Sequence, residues 1–277
     1  MRPVLALALL AMSLALPKSG HASAPGATTG TLPTGTLHGP ERIASAVLGY
    51  DLQYWVYLPA GVERLPAEPL PEMYFTDGAA YLSPGHAVEV LDREIASGRI
   101  APLAAVFVDS RDPDRPEHDR RNEQFMCNAD YGRFFVGELM PEVSRRWTGA
   151  DRETRRALAG VSFGAVNAAC FGTLLPGVFA LLALHSPGNE GHIEAIRQLY
   201  EQKPRQPSAF FLTHGRRNDN AAANRRLADT FRGKGYALRY EVNNGRHDWA
   251  NWGRLIDDAL RAFAGLREGD RLTVPDG

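Results

Sequence analysis

The strongest constraint on the fold is an alternation. Seven short runs rich in β-branched or aromatic residues read as strands: Tyr50 to Leu58, Glu72 to Thr76, Leu103 to Asp109, Arg156 to Val161, Phe179 to His185, Ala209 to His214 and Leu238 to Asn243. Between and after them lie stretches with helical patterning: Ala87 to Ser97, Tyr131 to Trp147, Phe163 to Leu174, Ile193 to Gln202, Asn220 to Gly233 and Trp249 to Gly265. Most of the strand runs are apolar almost without interruption, as in strands covered on both faces. The pattern predicts an α/β domain with a mostly parallel central sheet flanked by helices. Ligands on such sheets bind at the carboxyl ends of the strands, and the chemistry is sought there.

The chain before Tyr50 has a different texture. Arg2 followed by the apolar run Val4 to Leu16 and the small-residue stretch Gly20-His21-Ala22-Ser23-Ala24 predicts a secretory signal over residues 1–24. The run of about thirteen apolar residues is too short for a bilayer span, which needs roughly twenty. Residues 25–45, rich in Gly, Thr, Ser and Pro, are expected to be a flexible leader, with a single catalytic domain over 46–268 and a tail over 269–277. A periplasmic or secreted location follows as an expectation. The balance of 31 Lys+Arg against 32 Asp+Glu leaves no basic footprint for nucleic acid. Loss of Arg2 and Lys18 with the signal shifts the formal charge from -1 to -3.

The most informative segment is Gly160-Val161-Ser162-Phe163-Gly164, set between an apolar strand and a helix-forming stretch. The glycines permit a turn too tight for side chains, and the serine hydroxyl is presented at a helix N-terminus that favours developing negative charge. The structural alternative is a glycine-rich turn with an inert serine. A serine hydroxyl needs a base to take its proton. Of the eight histidines, His247 stands in Asn244-Gly245-Arg246-His247-Asp248-Trp249, after the last strand and before the last helix, and is the candidate base. The orienting acid should follow the preceding strand, where Asp219 is the one carboxylate in Gly215 to Asn220; Glu241 and Asp248 are the alternatives.

These residues resemble a family. The serine motif, Gly245-Arg246-His247-Asp248-Trp249 and the Asp77-Gly78 turn are similar to the esterase D and enterochelin (ferric enterobactin) esterase branch of the α/β-hydrolases. Val106-Phe107-Val108-Asp109, an Arg-rich loop, Glu123, Cys127-Asn128-Ala129-Asp130-Tyr131 and Glu138-Leu139-Met140-Pro141 resemble the middle segment of the enterochelin esterases. The resemblance spans Tyr50 to Phe263 and, with only a leader ahead of the domain, is closest to the single-domain periplasmic members. It implies Ser162 as nucleophile, His247 as base, and an oxyanion hole from the N–H groups of Phe163 and Ala79. Ala165 and Arg246 stand where family members often carry glycine. The family acid usually falls at Asn218, so Asp219 requires a one-residue shift or the site works as a Ser-His dyad.

The expected activity is serine carboxylic-ester hydrolysis through an acyl-enzyme, with a siderophore trilactone, in its ferric or iron-free form, as the small-molecule substrate. A feruloyl-type or general aryl esterase, or an acyltransferase, uses the same machinery, and a non-catalytic periplasmic binder is the alternative of another class. An anionic siderophore demands local positive charge, for which Arg111, Arg115, Arg120 and Arg121 are available, interleaved with Asp112, Asp114, Glu117 and Asp119. Arg120, Arg121 and Trp249 are the candidate substrate-binding residues, and Trp252 shares the aromatic reading. Cys127 and Cys170 are either a disulfide or two thiols. With no His-Glu-x-x-His and no Cys/His cluster, no metal or other cofactor is expected.

Overall fold

The computed structural model describes residues 33–274, so the expected signal and the first part of the expected leader lie outside the described residues. Ten strands run in chain order among them: β1 (Thr36–Ala44), β2 (Asp51–Leu58), β3 (Glu72–Thr76), β4 (Ala104–Val108), β5 (Arg111–Asp112), β6 (Arg115–Asp119), β7 (Arg156–Val161), β8 (Leu181–His185), β9 (Ala209–Gly215) and β10 (Leu238–Asn243). Eight of them form one sheet in the order β1-β2-β4-β3-β7-β8-β9-β10, while β5 and β6 make a separate hairpin. β1, β2 and β4 pair antiparallel, and every pairing from β4 to β10 is parallel. This is the α/β-hydrolase arrangement.

The helices are α1 (Gly78–Leu82), α2 (Ala87–Ala96), α3 (Arg121–Gln124), α4 (Ala129–Phe134), α5 (Met140–Val143), α6 (Phe163–Leu174), α7 (Glu190–Gln202), α8 (Ala221–Gly233), α9 (Trp249–Trp252) and α10 (Ile256–Ala264). A π-helical turn, Phe135–Leu139, joins α4 to α5, and a second, Ser144–Thr148, extends α5. Together they occupy the segment expected as one helix from Tyr131 to Trp147.

Strand geometry explains the unbroken apolar runs. Successive residues point to opposite faces, so Tyr74 and Phe210 join one core with Phe135, Phe171 and Phe231, while their neighbours Phe75 and Phe211 join the other with Phe107 and Phe263. Helices α4 to α8 cover the first face, and α1, α2, α9 and α10 cover the second. A strand buried on both sides has no polar face to show.

Two expected boundaries are corrected. Residues 36–44 are not flexible leader: they form β1, paired with β2 from Thr36 opposite Leu58 to Ala44 opposite Asp51. Backbone hydrogen bonds hold this edge strand, and its side chains are mostly solvent-facing, so it carries no apolar signature. Residues 269–272 are not a free tail either. The Leu272 N–H donates to the Ala262 carbonyl at 2.9 Å, and Arg239 Nη2 donates to the carbonyls of Gly269 and Asp270 at 2.8 and 2.6 Å.

Candidate active site

Ser162 sits between β7 and α6 with φ 53° and ψ -120°, a left-handed φ that is strained for a residue with a side chain. Its flanking glycines are required sterically. A Cβ on Gly160 would overlap the Gly164 carbonyl, and one on Gly164 would lie 2.7 Å from Thr76 Oγ1 and 2.8 Å from Asp77 Oδ2. The turn is pinned from the neighbouring strand, where the His185 carbonyl accepts the Ser162 N–H at 2.8 Å. The side chain is thereby raised at the carboxyl edge of the sheet.

The three residues expected to act together are together. Ser162 Oγ lies 2.8 Å from His247 Nε2, and His247 Nδ1 lies 2.7 Å from Asp219 Oδ1. Asp219 follows β9, where the loop turns through Asn218 (φ 54°) and Asn220 (φ 52°). These two left-handed residues bracket Asp219 and direct it under the histidine, which realises the one-residue shift from Asn218. Glu241 is solvent-facing on the edge strand β10, and the Asp248 carboxylate caps α9 by accepting the Asn251 N–H at 3.0 Å. Neither competes with Asp219.

Asp219 is only 2% exposed. Burial raises its pKa, but hydrogen bonds from His247, Ser186 and the Gly215 N–H outweigh that, and the carboxyl lies below its ordinary value. Ser186 Oγ and Gly215 N both donate to Oδ2 at 2.6 Å. Trp252 Nε1 in turn donates to Ser186 Oγ at 3.0 Å, while the Trp252 ring meets the His247 ring edge-on with centroids 4.9 Å apart. Ser186 was not singled out from the sequence; only its place one residue beyond the His185 strand end pointed to it.

Phe163 opens α6, and Ala79 lies in the first turn of α1 after Asp77, whose φ is 62°. Neither amide N–H has a hydrogen-bond partner among the described residues, which leaves both free to donate. Asp77 is buried and gripped by Arg121, with Nε 2.7 Å from Oδ1 and Nη2 donating to Oδ2 at 3.1 Å. Burial pushes the Asp77 carboxyl up to about 6 against the opposing pull of Arg121, with Asp119 adding to the rise.

On one side of Ser162 is a cleft of about 160 Å³ bordered by Asp77, Ser110, Arg111, Asp119, Arg121, Trp249 and Trp252. Of the three residues expected to bind substrate, Arg121 and Trp249 border this cleft. Arg120 does not. It is 7% exposed, donates to Asp112 Oδ2 at 2.7 Å and lies over the Tyr50 ring at 4.3 Å, so its charge is spent inside the protein. Arg115 also pairs with Asp112, leaving Arg111 as the cleft arginine whose guanidinium has no carboxylate within 4.0 Å among the described residues.

Cys127 and Cys170 are joined, with Cα atoms 4.9 Å apart. The bond ties the segment carrying Arg121 to α6. Phe125, on the same segment, packs edge-on against Phe163 at 6.1 Å. Among the described residues no group of His, Cys, Asp and Glu side chains is arranged to hold a metal, and no helix is long and apolar enough to cross a membrane.

The family model described as "Putative esterase" matches residues 45–263. A curated relative, the iron(III) enterobactin esterase of Dickeya dadantii (strain 3937), is 26% identical over 245 residues, covering 82% of this chain and 54% of the relative. The chain spans about half the length, or less, of the curated relatives it matches. Among solved structures, the enterobactin esterase from Shigella flexneri in the presence of enterobactin superimposes with a TM-score of 0.68 at 22% identity, over 82% of this chain and 57% of that one. A ferulic acid esterase gives a TM-score of 0.64 at 20% identity, over 82% of this chain and 96% of its own. With the family model covering most of the chain and the sheet order above, this protein belongs to the esterase family and has the α/β-hydrolase fold.

Proposed function

We propose that the protein is a serine carboxylic-ester hydrolase that works through an acyl-enzyme on siderophore esters of the enterobactin type. The observation that carries this reading is the continuous chain Asp219, His247, Ser162, with separations of 2.7 and 2.8 Å. His247 Nε2 takes the proton from Ser162 Oγ as the oxygen attacks the ester carbonyl, and Asp219 holds the imidazole in the required tautomer and stabilises its charged form. The oxyanion is received by the N–H groups of Phe163 and Ala79; loss of one such donor costs on the order of 3 kcal/mol of barrier. His247 returns the proton to the leaving alcohol, and water then releases the acid.

The substrate class is supported by the enterobactin esterase relative and by the aromatic wall of Trp249 and Trp252 beside Ser162. A second reading, an aryl ester of feruloyl type, is favoured by the charge of the cleft. Of the four arginines available to an anion, Arg115, Arg120 and Arg121 are paired with carboxylates. We place the protein outside the reducing cytosol, in the periplasm or secreted, and the Cys127–Cys170 disulfide supports this.

The decisive experiment compares the purified protein with its Ser162→Ala variant on p-nitrophenyl acetate. Equal hydrolysis by both overturns the nucleophile. Mass spectrometry after incubation with ferric and iron-free enterobactin separates the two substrate readings: linear trimer supports the first, and intact trilactone beside rapid turnover of feruloyl esters supports the second.

A further inference from the structure

Ser162 stands between two openings. The cleft of Trp249 and Arg121 lies on one side; on the other is a groove of about 470 Å³ bordered by Phe163, Asn189, His192, Asn218, Asn220 and His247. The two differ in chemistry. Among the described residues no Asp, Glu, Lys or Arg lines the groove, whereas the cleft has three aspartates and two arginines. The His192 ring stacks on the Phe163 ring, with centroids 4.8 Å apart and planes 24° from parallel. The Asn189 N–H donates to His192 Nδ1 at 3.4 Å, so in the neutral ring the proton is on Nε2, which is left as a donor. Asn220 spends its Nδ2 on the Gly188 carbonyl at 3.0 Å and retains its amide oxygen as an acceptor, while the Asn218 side chain is exposed with no partner among the described residues.

The position of His247 gives the two openings different roles. In the acylation step the bond from Ser162 Oγ to the acyl carbon forms and the bond from that carbon to the alcohol oxygen breaks. The proton taken from Oγ passes through His247 Nε2 to the departing alcohol oxygen. The alcohol half must therefore lie toward His247, which borders the groove and not the cleft. Resting on the serine-esterase reading, we propose that the groove is an alcohol-side subsite and that His192 sets its specificity. It selects esters whose alcohol carries uncharged amide or hydroxyl groups, which His192, Asn218 and Asn220 hydrogen-bond and the Phe163–His192 stack supports from below. The acyl half occupies the opposite cleft.

The test holds the acyl group fixed and changes the alcohol. The substrates are the methyl ester of N-(2,3-dihydroxybenzoyl)glycine and the ester of the same acid with N-acetylserinamide. His192 is the third residue of α7 and closes a capping box with Asn189, so His192→Gln is the variant of choice, because glutamine can keep that cap while losing the ring. Asn218→Gly is the second variant, since glycine accepts the φ of 54°. The native enzyme is expected to prefer the serinamide ester in kcat/KM, and His192→Gln to reduce that preference about ten-fold, the sum of a lost stack and a lost hydrogen bond. Asn218→Gly should reduce it by a smaller factor, and thermal melts of both variants should stay near that of the native protein. A native enzyme that turns over the serinamide ester no faster than the methyl ester overturns the subsite. So does a His192→Gln variant that loses activity equally on both. Turnover of the methyl ester by Ser162→Ala at the native rate would instead sink the nucleophile, a distinct outcome.

Discussion

Cys127 is bonded to Cys170, and Cys170 lies in the helix whose first residue follows Ser162. The bridge therefore fastens the segment that carries Arg121, the partner of Asp77, to the element that presents the serine. Its sequence separation is 43 residues, and closing a loop of that length removes about 4 kcal/mol of chain entropy from the unfolded state on the simplest model. Calorimetric scans with and without a strong reductant should show the reduced protein melting roughly 5 to 15 °C lower. Identical melting curves, with reduction verified by thiol titration, would show that the bridge adds nothing to the fold.

Asp219 is the residue on which triad and dyad differ. Replacing it by asparagine keeps the shape but removes the charge and lets the imidazole adopt the wrong tautomer. In a serine-protease triad the same change lowers kcat by about 10⁴-fold. A fall of 10³-fold or more is expected for Asp219→Asn on p-nitrophenyl acetate. Asp248→Asn, which changes only the cap of α9, should stay within about two-fold because asparagine caps as well as aspartate. A drop below about ten-fold in Asp219→Asn would mean that Ser162 and His247 act as a dyad.

The sequence displayed the serine and histidine because each sits in a short local pattern, Gly160 to Gly164 and Gly245 to Trp249, that the chain can satisfy in one way. It displayed β3, β4, β7, β8 and β9 because burial on two faces leaves an apolar run. It did not display β1, where Thr36 to Ala44 gain their order from backbone pairing with β2 and not from buried side chains. Arg120 was misread for a related reason: a charged residue in an acidic loop looks solvent-facing until Asp112 and Tyr50 are seen to enclose it. Asp219 was legible by its place after the strand, but the hydroxyl supporting it was not, since Ser186 comes from a different strand end 33 residues away.

Ser186 and Trp252 extend the charge network beyond the triad. Trp252→Phe retains the ring that packs on His247 and removes only the N–H that orients Ser186 Oγ. One neutral hydrogen bond is worth about 1 kcal/mol, so kcat should fall by about five-fold with KM little changed. Ser186→Gly, suited to the φ of 51° at that position, removes a bond to the carboxylate itself and should cost more, about ten-fold or above. If Trp252→Phe proved the more damaging of the two, the network would not run through Ser186.

Asp77 makes stability depend on pH in the direction opposite to the usual carboxylate. Its pKa is pushed up to about 6 by burial despite the Arg121 guanidinium, whereas the unfolded chain titrates near 3.9. The folded protein thus binds this proton more tightly, and the associated stability is complete below the unfolded value and lost as pH rises through about 6. In Asp77→Asn that dependence disappears. Denaturant unfolding of the native protein and the variant at about pH 4.5 and about pH 7.5 should therefore show the native protein losing roughly 2 kcal/mol relative to the variant across the interval. A native protein that instead gains on the variant as pH rises would mean that the attraction of Arg121 exceeds the cost of burying the charge, and that the Asp77–Arg121 pair is a net stabiliser of the turn that presents Ala79.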